Sequence, residues 1–237
     1  LSSANAAENR VALVIGNSEY AHVAELANPK NDAADIGKAL TRLGFGVTVK
    51  LDLDYASMRI SLRDFSVAAE DAKIALIYFA GHGIEVQGEN FLIPVDAAVN
   101  SNLDVQRQSL SLKRLLGAVD RARKMRIVIL DSCRDNPLGD GIALSSNTAA
   151  NADSEGTRGG GGGMAAADPD RGTLVAFAAR DGQVALDGNG NNSPYAVALM
   201  DKMAEPGLEI SLMFRQVRDS VLQQTGNLQE PHTYGSL

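Results

Sequence analysis

Short apolar runs that stop at glycine or at polar turns constrain this chain more than any other feature. Arg10 to Gly16 (RVALVIG), Ile74 to Ala80 (IALIYFA), Arg126 to Leu130 (RIVIL) and Thr173 to Ala179 (TLVAFAA) are near-continuously apolar over the length of a strand, as strands buried on both faces are. Phe45 to Leu51 reads as a further strand, and His232 to Gly235 as a C-terminal edge strand. Between the runs, apolar residues recur at helical spacing. Ala33, Ile36, Ala39, Leu40 and Leu43 follow an Asn28-Pro29 start, with Asn28 as the expected cap, and stop at Gly44. Met58, Leu62, Phe65 and Ala69 follow a cap at Asp54, and Leu112, Leu115, Leu116 and Val119 follow one at Ser111. Helical stretches are also expected over Ser193 to Met203 and Leu208 to Gln224. Strands alternating with helices predict an α/β fold: a mainly parallel six-stranded sheet with helices on both faces. In such sheets ligands bind beyond the carboxyl ends of the strands. The third strand is expected to end sharply at Gly81-His82-Gly83 and the fourth in Asp131-Ser132-Cys133, which puts His82 and Cys133 at that edge.

Composition narrows the function classes. With 237 residues the chain is long enough to bury a substantial core. A net charge of −7 argues against a general nucleic-acid or acidic-membrane binder, and no run approaches the ~18 apolar residues of a membrane span. One cysteine excludes an intramolecular disulfide and a multi-cysteine zinc cluster, leaving a buried hydrophobe, an intermolecular link or a reactive thiol. Periodicity vanishes from Gly139 to Gly172, a stretch rich in Ala, Ser, Asn and Asp that includes the run Gly159 to Gly163, and is expected to be a flexible linker. A single domain over 1–237 is expected, with 1–138 and 173–237 as its two halves and 139–172 joining them. The glycine run lacks a following Lys-Ser/Thr, so it is not a phosphate loop, and neither a G-x-S-x-G elbow nor a dinucleotide fingerprint is present. Ser2 to Asn9 is a small polar leader that reads as the stub of a processed export signal or as an arbitrary boundary; either way a soluble protein of open localisation is expected.

His82 and Cys133 each follow an apolar strand directly. A thiol is a strong nucleophile only as thiolate, and a nearby imidazole can hold or relay its proton. Backbone N–H groups of Gly83 and Cys133 can stabilise a developing oxyanion. The residues alone leave two readings open, this one and a structural cysteine beside a turn histidine. His22 and His232 fall in loop or terminal contexts and are expected at the surface.

The words around the pair, YFAGHG (Tyr78 to Gly83) and ILDSCRD (Ile129 to Asp135), resemble those of caspase-like cysteine peptidases. The separation of His82 and Cys133 by 51 positions matches the spacing of about 50 in that family. RVALVIGNSEY (Arg10 to Tyr20), NDAADI (Asn31 to Ile36), FLIPVDA (Phe91 to Ala97) and NSPYAVAL (Asn192 to Leu199) resemble its bacterial branch, the orthocaspases, related to metacaspases and paracaspases. The resemblance implies a caspase-like three-layer sandwich and a cysteine endopeptidase with Cys133 as nucleophile, His82 handling protons and an oxyanion hole at Gly83 and Cys133. It implies no third catalytic residue; calcium activates many metacaspases, but Asp52 and Asp54 spell no calcium loop and paracaspase-like relatives need none, so no cofactor or metal is expected.

Substrate choice follows from three acids. Side chains two apart on a strand share a direction, so Asp131 is expected to face the crevice with Cys133, where aspartate-cutting caspases carry Gln. Asp32 resembles the acidic pocket residue of metacaspases and paracaspases, and Asp187 lies near where caspases place a pocket arginine. Together they predict a peptide or protein substrate cut after Arg or Lys. Arg158 and Arg171 in the linker are then expected sites of self-cleavage. Two departures stand out: Ala80 replaces the serine of many metacaspases, and Arg180-Asp181-Gly182 replaces an apolar-Pro-Gly turn. The competing reading is a catalytically silent caspase-fold module that regulates or binds a partner; oligomeric state is left open.

Overall fold

The computed structural model describes residues 9–133, 172–180 and 183–236, with Cys133 and Ser236 described by their backbone alone. The chain runs β1 (Arg10–Gly16), α1 (Pro29–Arg42), β2 (Gly46–Leu51), α2 (Tyr55–Glu70), β3 (Ile74–Val86), β4 (Glu89–Leu92), α3 (Asn102–Gln108), β5 (Leu110–Ser111), α4 (Leu112–Val119), β6 (Met125–Cys133), β7 (Thr173–Phe177), α5 (Pro194–Met203), α6 (Ile210–Gln224) and β8 (His232–Ser236). Six strands lie side by side in the order β2-β1-β3-β6-β7-β8. All neighbours are parallel except the antiparallel edge strand β8. Strands β4 and β5 extend the sheet antiparallel from the far end of β3.

Alternation along the strands divides the core. Val14, Leu76, Tyr78, Ile127, Ile129 and Ala176 pack beneath α1, α5 and α6. Leu13, Ile15, Ile77, Phe79, Val128, Leu130 and Val175 pack beneath α2 and α4. Two-sided burial is why these strands read as continuous apolar runs, and each fully buried Leu, Ile, Val or Phe contributes about 1.5–3 kcal/mol. The result is the expected three-layer α/β arrangement.

Local signals differ in how they act. Asp54 caps α2, its carboxylate accepting from Ser57 N–H at 2.7 Å, and Ser193 caps α5 through Ala196 N–H at 3.0 Å. Asn28 and Ser111 make no side-chain cap. Asn28 instead donates its amide to the Asp187 carbonyl, tying the start of α1 to a distant loop. The last helix begins at Ile210 behind Glu209, whose carboxylate accepts from Ser211 and Leu212 N–H. The main correction concerns β3, which does not end at Gly81-His82-Gly83 but runs on to Val86 and turns back as β4. Beyond His82 it leaves β6 and pairs with β4, so its hydrogen bonds continue on a new partner. Strands β4 and β5 and helix α3 were not expected; each is too short to show a period.

Gly16 explains how α1 comes to sit over the end of β1. A Cβ there would collide with the Pro29 carbonyl and the Ala33 side chain, so only glycine lets the first turn of the helix close onto the strand. That contact fixes where Asp32 lies.

Candidate active site

The parallel pairing of β3 with β6 ends at His82 opposite Cys133. Two residues in register on neighbouring strands have backbones ~4.8 Å apart, so sheet register alone brings them together. One step further, Gly83 faces Leu92 of β4. Ile93 N–H donates to His82 O at 3.0 Å, which makes Gly83–Leu92 a non-hydrogen-bonded pair and turns the Gly83 N–H away from β4, toward the β6 side.

The histidine is held on several sides. Its Nε2 lies 2.7 Å from the Ala24 carbonyl, which can only accept, so Nε2 carries the proton and the neutral ring keeps its lone pair on Nδ1. His82 N–H donates to the Tyr20 hydroxyl at 2.7 Å, and the two rings are tilted by 56° with centroids 4.6 Å apart. Burial lowers the His82 pKa, opposed by the Ala24 bond and the Asp187 charge. Gly81 (φ +152°) has a backbone that favours glycine, and a Cβ there would lie 2.5 Å from the Tyr20 hydroxyl.

The loop carrying Tyr20 and Ala24 is fixed from below. Asn17 donates N–H to Ala80 O, while its side chain accepts from Leu53 N–H and donates to Ile93 O. Asp52, itself at φ +49°, accepts from Ser18 and Glu19 N–H. Asn17, Tyr20 and the Ala24 carbonyl were not expected at the site. Asn17 and Tyr20 do lie in the RVALVIGNSEY word; a backbone carbonyl such as that of Ala24 leaves no residue-type signal.

Three acids converge. Asp32, Asp131 and Asp187 line one cavity of about 40 Å³, whose wall also includes Ala80, Gly81, Ala185 and Ser193. Ser193 joins two of them: its hydroxyl donates to Asp131 at 2.6 Å and its N–H to Asp32 at 3.0 Å. Tyr78 OH donates to the same Asp131 oxygen at 2.9 Å. Burial raises the Asp32 pKa, reinforced by the charge of Asp131. Burial also raises that of Asp131, against the bonds from Ser193 and Tyr78. Asp187 is engaged differently, its carboxylate accepting from Ala27 N–H at 2.9 Å and Asn28 N–H at 3.3 Å.

His22 and His232 are exposed, as expected. Arg158, Arg171, Asp181 and Gly182 lie outside the described residues. Among the described residues, no group of three or more His, Cys, Asp or Glu side chains is arranged to hold a metal ion, and no helix is long and apolar enough to cross a membrane.

Comparison with known proteins places this geometry in context. A family profile described as the caspase domain matches residues 9–237. The human mucosa-associated lymphoid tissue lymphoma translocation protein 1 is 30% identical over 149 residues, covering 60% of this chain and 18% of that protein. Its mouse homologue is 29% identical over the same length. Cat caspase-1 is 28% identical over 149 residues, covering 61% of this chain and 35% of its own length. The chain thus spans between about a fifth and a third of the relatives it matches.

Proposed function

The chain belongs to the caspase-domain family of cysteine peptidases, and from that premise we propose that it is an endopeptidase cutting after Arg or Lys through a Cys133–His82 dyad. The observation that carries the specificity is the cavity lined by Asp32, Asp131 and Asp187, whose wall includes Gly81, the residue preceding His82. A guanidinium there meets carboxylates in a desolvated setting, whereas an aspartate side chain is repelled.

The proposed chemistry proceeds in two halves. The Cys133 thiolate attacks the scissile carbonyl, and the developing oxyanion is stabilised by the Gly83 and Cys133 N–H groups. His82, protonated at Nδ1 by the thiol, gives that proton to the leaving amine as the C–N bond breaks. Water then hydrolyses the thioester, with His82 accepting its proton and the thiol re-forming. The Ala24 carbonyl and Tyr20 orient the imidazole throughout.

A silent module of the same fold would present the same carboxylates without a reactive thiol, and covalent labelling separates the two readings. Exposure to a peptidyl-arginine halomethyl ketone is expected to add one inhibitor at Cys133, mapped by mass spectrometry, while the matching peptidyl-aspartate reagent adds none. No adduct from either reagent supports the silent module.

A further inference from the structure

A groove of about 560 Å³ runs between α2 and α4, on the opposite face of the sheet from the three carboxylates. Its floor is apolar, including Leu110 and the half-exposed Ile60. Arg59 and Arg63, one turn apart on α2, face Arg114 on α4, and no carboxylate lines it. Among the described residues, Arg63 pairs with its neighbour Asp64, Arg59 lies over the Tyr55 ring at 5.6 Å, and no ion pair holds Arg59 or Arg114. On a chain of net charge −7, Arg59 and Arg114, neither held in an ion pair, together with Arg63, whose partner Asp64 lies outside the groove lining, form a local inversion of charge around an apolar floor. Gly117 leaves open space beside Arg114, with nothing within 4 Å of where a Cβ would stand.

Register connects this groove to the site. Gly83 is opposite Leu92, and Leu92 is opposite Leu110, which lines the groove. Two strand spacings, about 10 Å, therefore separate the backbone of Gly83 from the groove's edge.

We propose that the groove docks an acidic segment of a protein substrate, its carboxylates on Arg59, Arg63 and Arg114 and an apolar side chain on the floor. The pairing of an apolar floor with three planar cations fits a peptide carrying carboxylates better than a nucleic-acid backbone or a lipid surface, which call for a longer or broader cationic face. That the docked partner is a substrate rests on the peptidase reading; the binding itself does not.

The test is fluorescence anisotropy on Cys133→Ala protein, which leaves the probe uncut. The probes are a short labelled peptide in which glutamates alternate with leucines and its glutamine counterpart. The acidic peptide is expected to bind saturably, about tenfold or more tighter than the glutamine peptide, weakening with salt and weakening about tenfold or more in Arg59→Ala/Arg114→Ala. No saturable binding, or equal binding by the double variant, overturns the site. Tighter binding of a single-stranded oligonucleotide or of phosphatidylserine vesicles, lost in the same variant, overturns the assignment to a peptide. Cleavage of a short Arg peptide by the unsubstituted protein is read in parallel; its absence sinks the peptidase reading and leaves the binding result standing.

Discussion

Asp131 carries the specificity claim at the scale of single residues. It is buried, accepts from Ser193 and Tyr78, and lines the same cavity as Asp32. Asp131→Asn is expected to lower kcat/KM for Arg peptides by about 100-fold or more, since removing one side of a buried charge pair costs ~2–5 kcal/mol. Asp187→Asn should cost less, about tenfold, because that carboxylate is already shared with two backbone N–H groups. Acidity gives an independent check. Burial raises the pKa of both Asp32 and Asp131, so the folded protein holds protons that the unfolded chain has released. Their contribution to stability is full below the ordinary carboxylate range and is lost as pH rises through the raised values. His82, whose pKa burial lowers, works in the opposite sense and costs stability as pH falls below its unfolded value. Thermal melts across that range should therefore show a smaller loss with rising pH in Asp32→Asn and Asp131→Asn than in the parent. An Arg-directed reversible inhibitor should bind more tightly as pH rises through the same window, releasing protons as it binds; affinity independent of pH would contradict the pocket.

At the scale of elements, the continuation of β3 through His82 matters most. The glycines around His82 read as a turn, yet they lie within a strand: Gly81 takes a positive φ beneath Tyr20, and Gly83 begins the pairing with β4. Flanking glycines carry no information about which partner strand comes next; the hairpin turns further on, at Gln87-Gly88, both at positive φ. By contrast, β1, α1, α2 and β6 were legible because each satisfies one period and buries one face or both. Asn28 illustrates the limit. Its type fits a cap, but tertiary contact diverts its amide to Asp187, a residue 159 positions away. Gly81→Ala is expected to lower Tm and abolish activity, because the new methyl displaces the Tyr20 hydroxyl that receives the His82 N–H. Tyr20→Phe, which leaves that buried N–H unpaired, should cost about 1–3 kcal/mol in chemical denaturation. Asp54→Ala should cost about 1 kcal/mol in chemical denaturation through the lost cap.

Across the whole molecule, the site is assembled from segments distant in sequence by the order of the strands. Parallel pairing of β3 and β6 sets His82 beside Cys133, and the closures of α1 and α5 over that edge bring Asp32 and Ser193 to Asp131. Asp131 and Asp32 were legible as types in strand and helix contexts, and Asp187 in a polar loop. Their bridge through Ser193, and the Ala24 carbonyl that fixes the His82 tautomer, depend on loop paths that no residue type encodes. Self-cleavage at Arg158 and Arg171 belongs to this scale. Incubated protein is expected to yield fragments ending at those arginines, and Cys133→Ala protein is expected to stay intact; fragments from both, or from neither while peptides are cut, would contradict it. The most direct measurement of the central claim is kcat/KM for matched fluorogenic peptides ending in Arg, Lys or Asp, taken for the parent and for Cys133→Ala. Turnover of the Arg and Lys peptides alone, lost in Cys133→Ala, is the predicted result. Turnover that survives the loss of the thiol, or a preference for Asp, would contradict it.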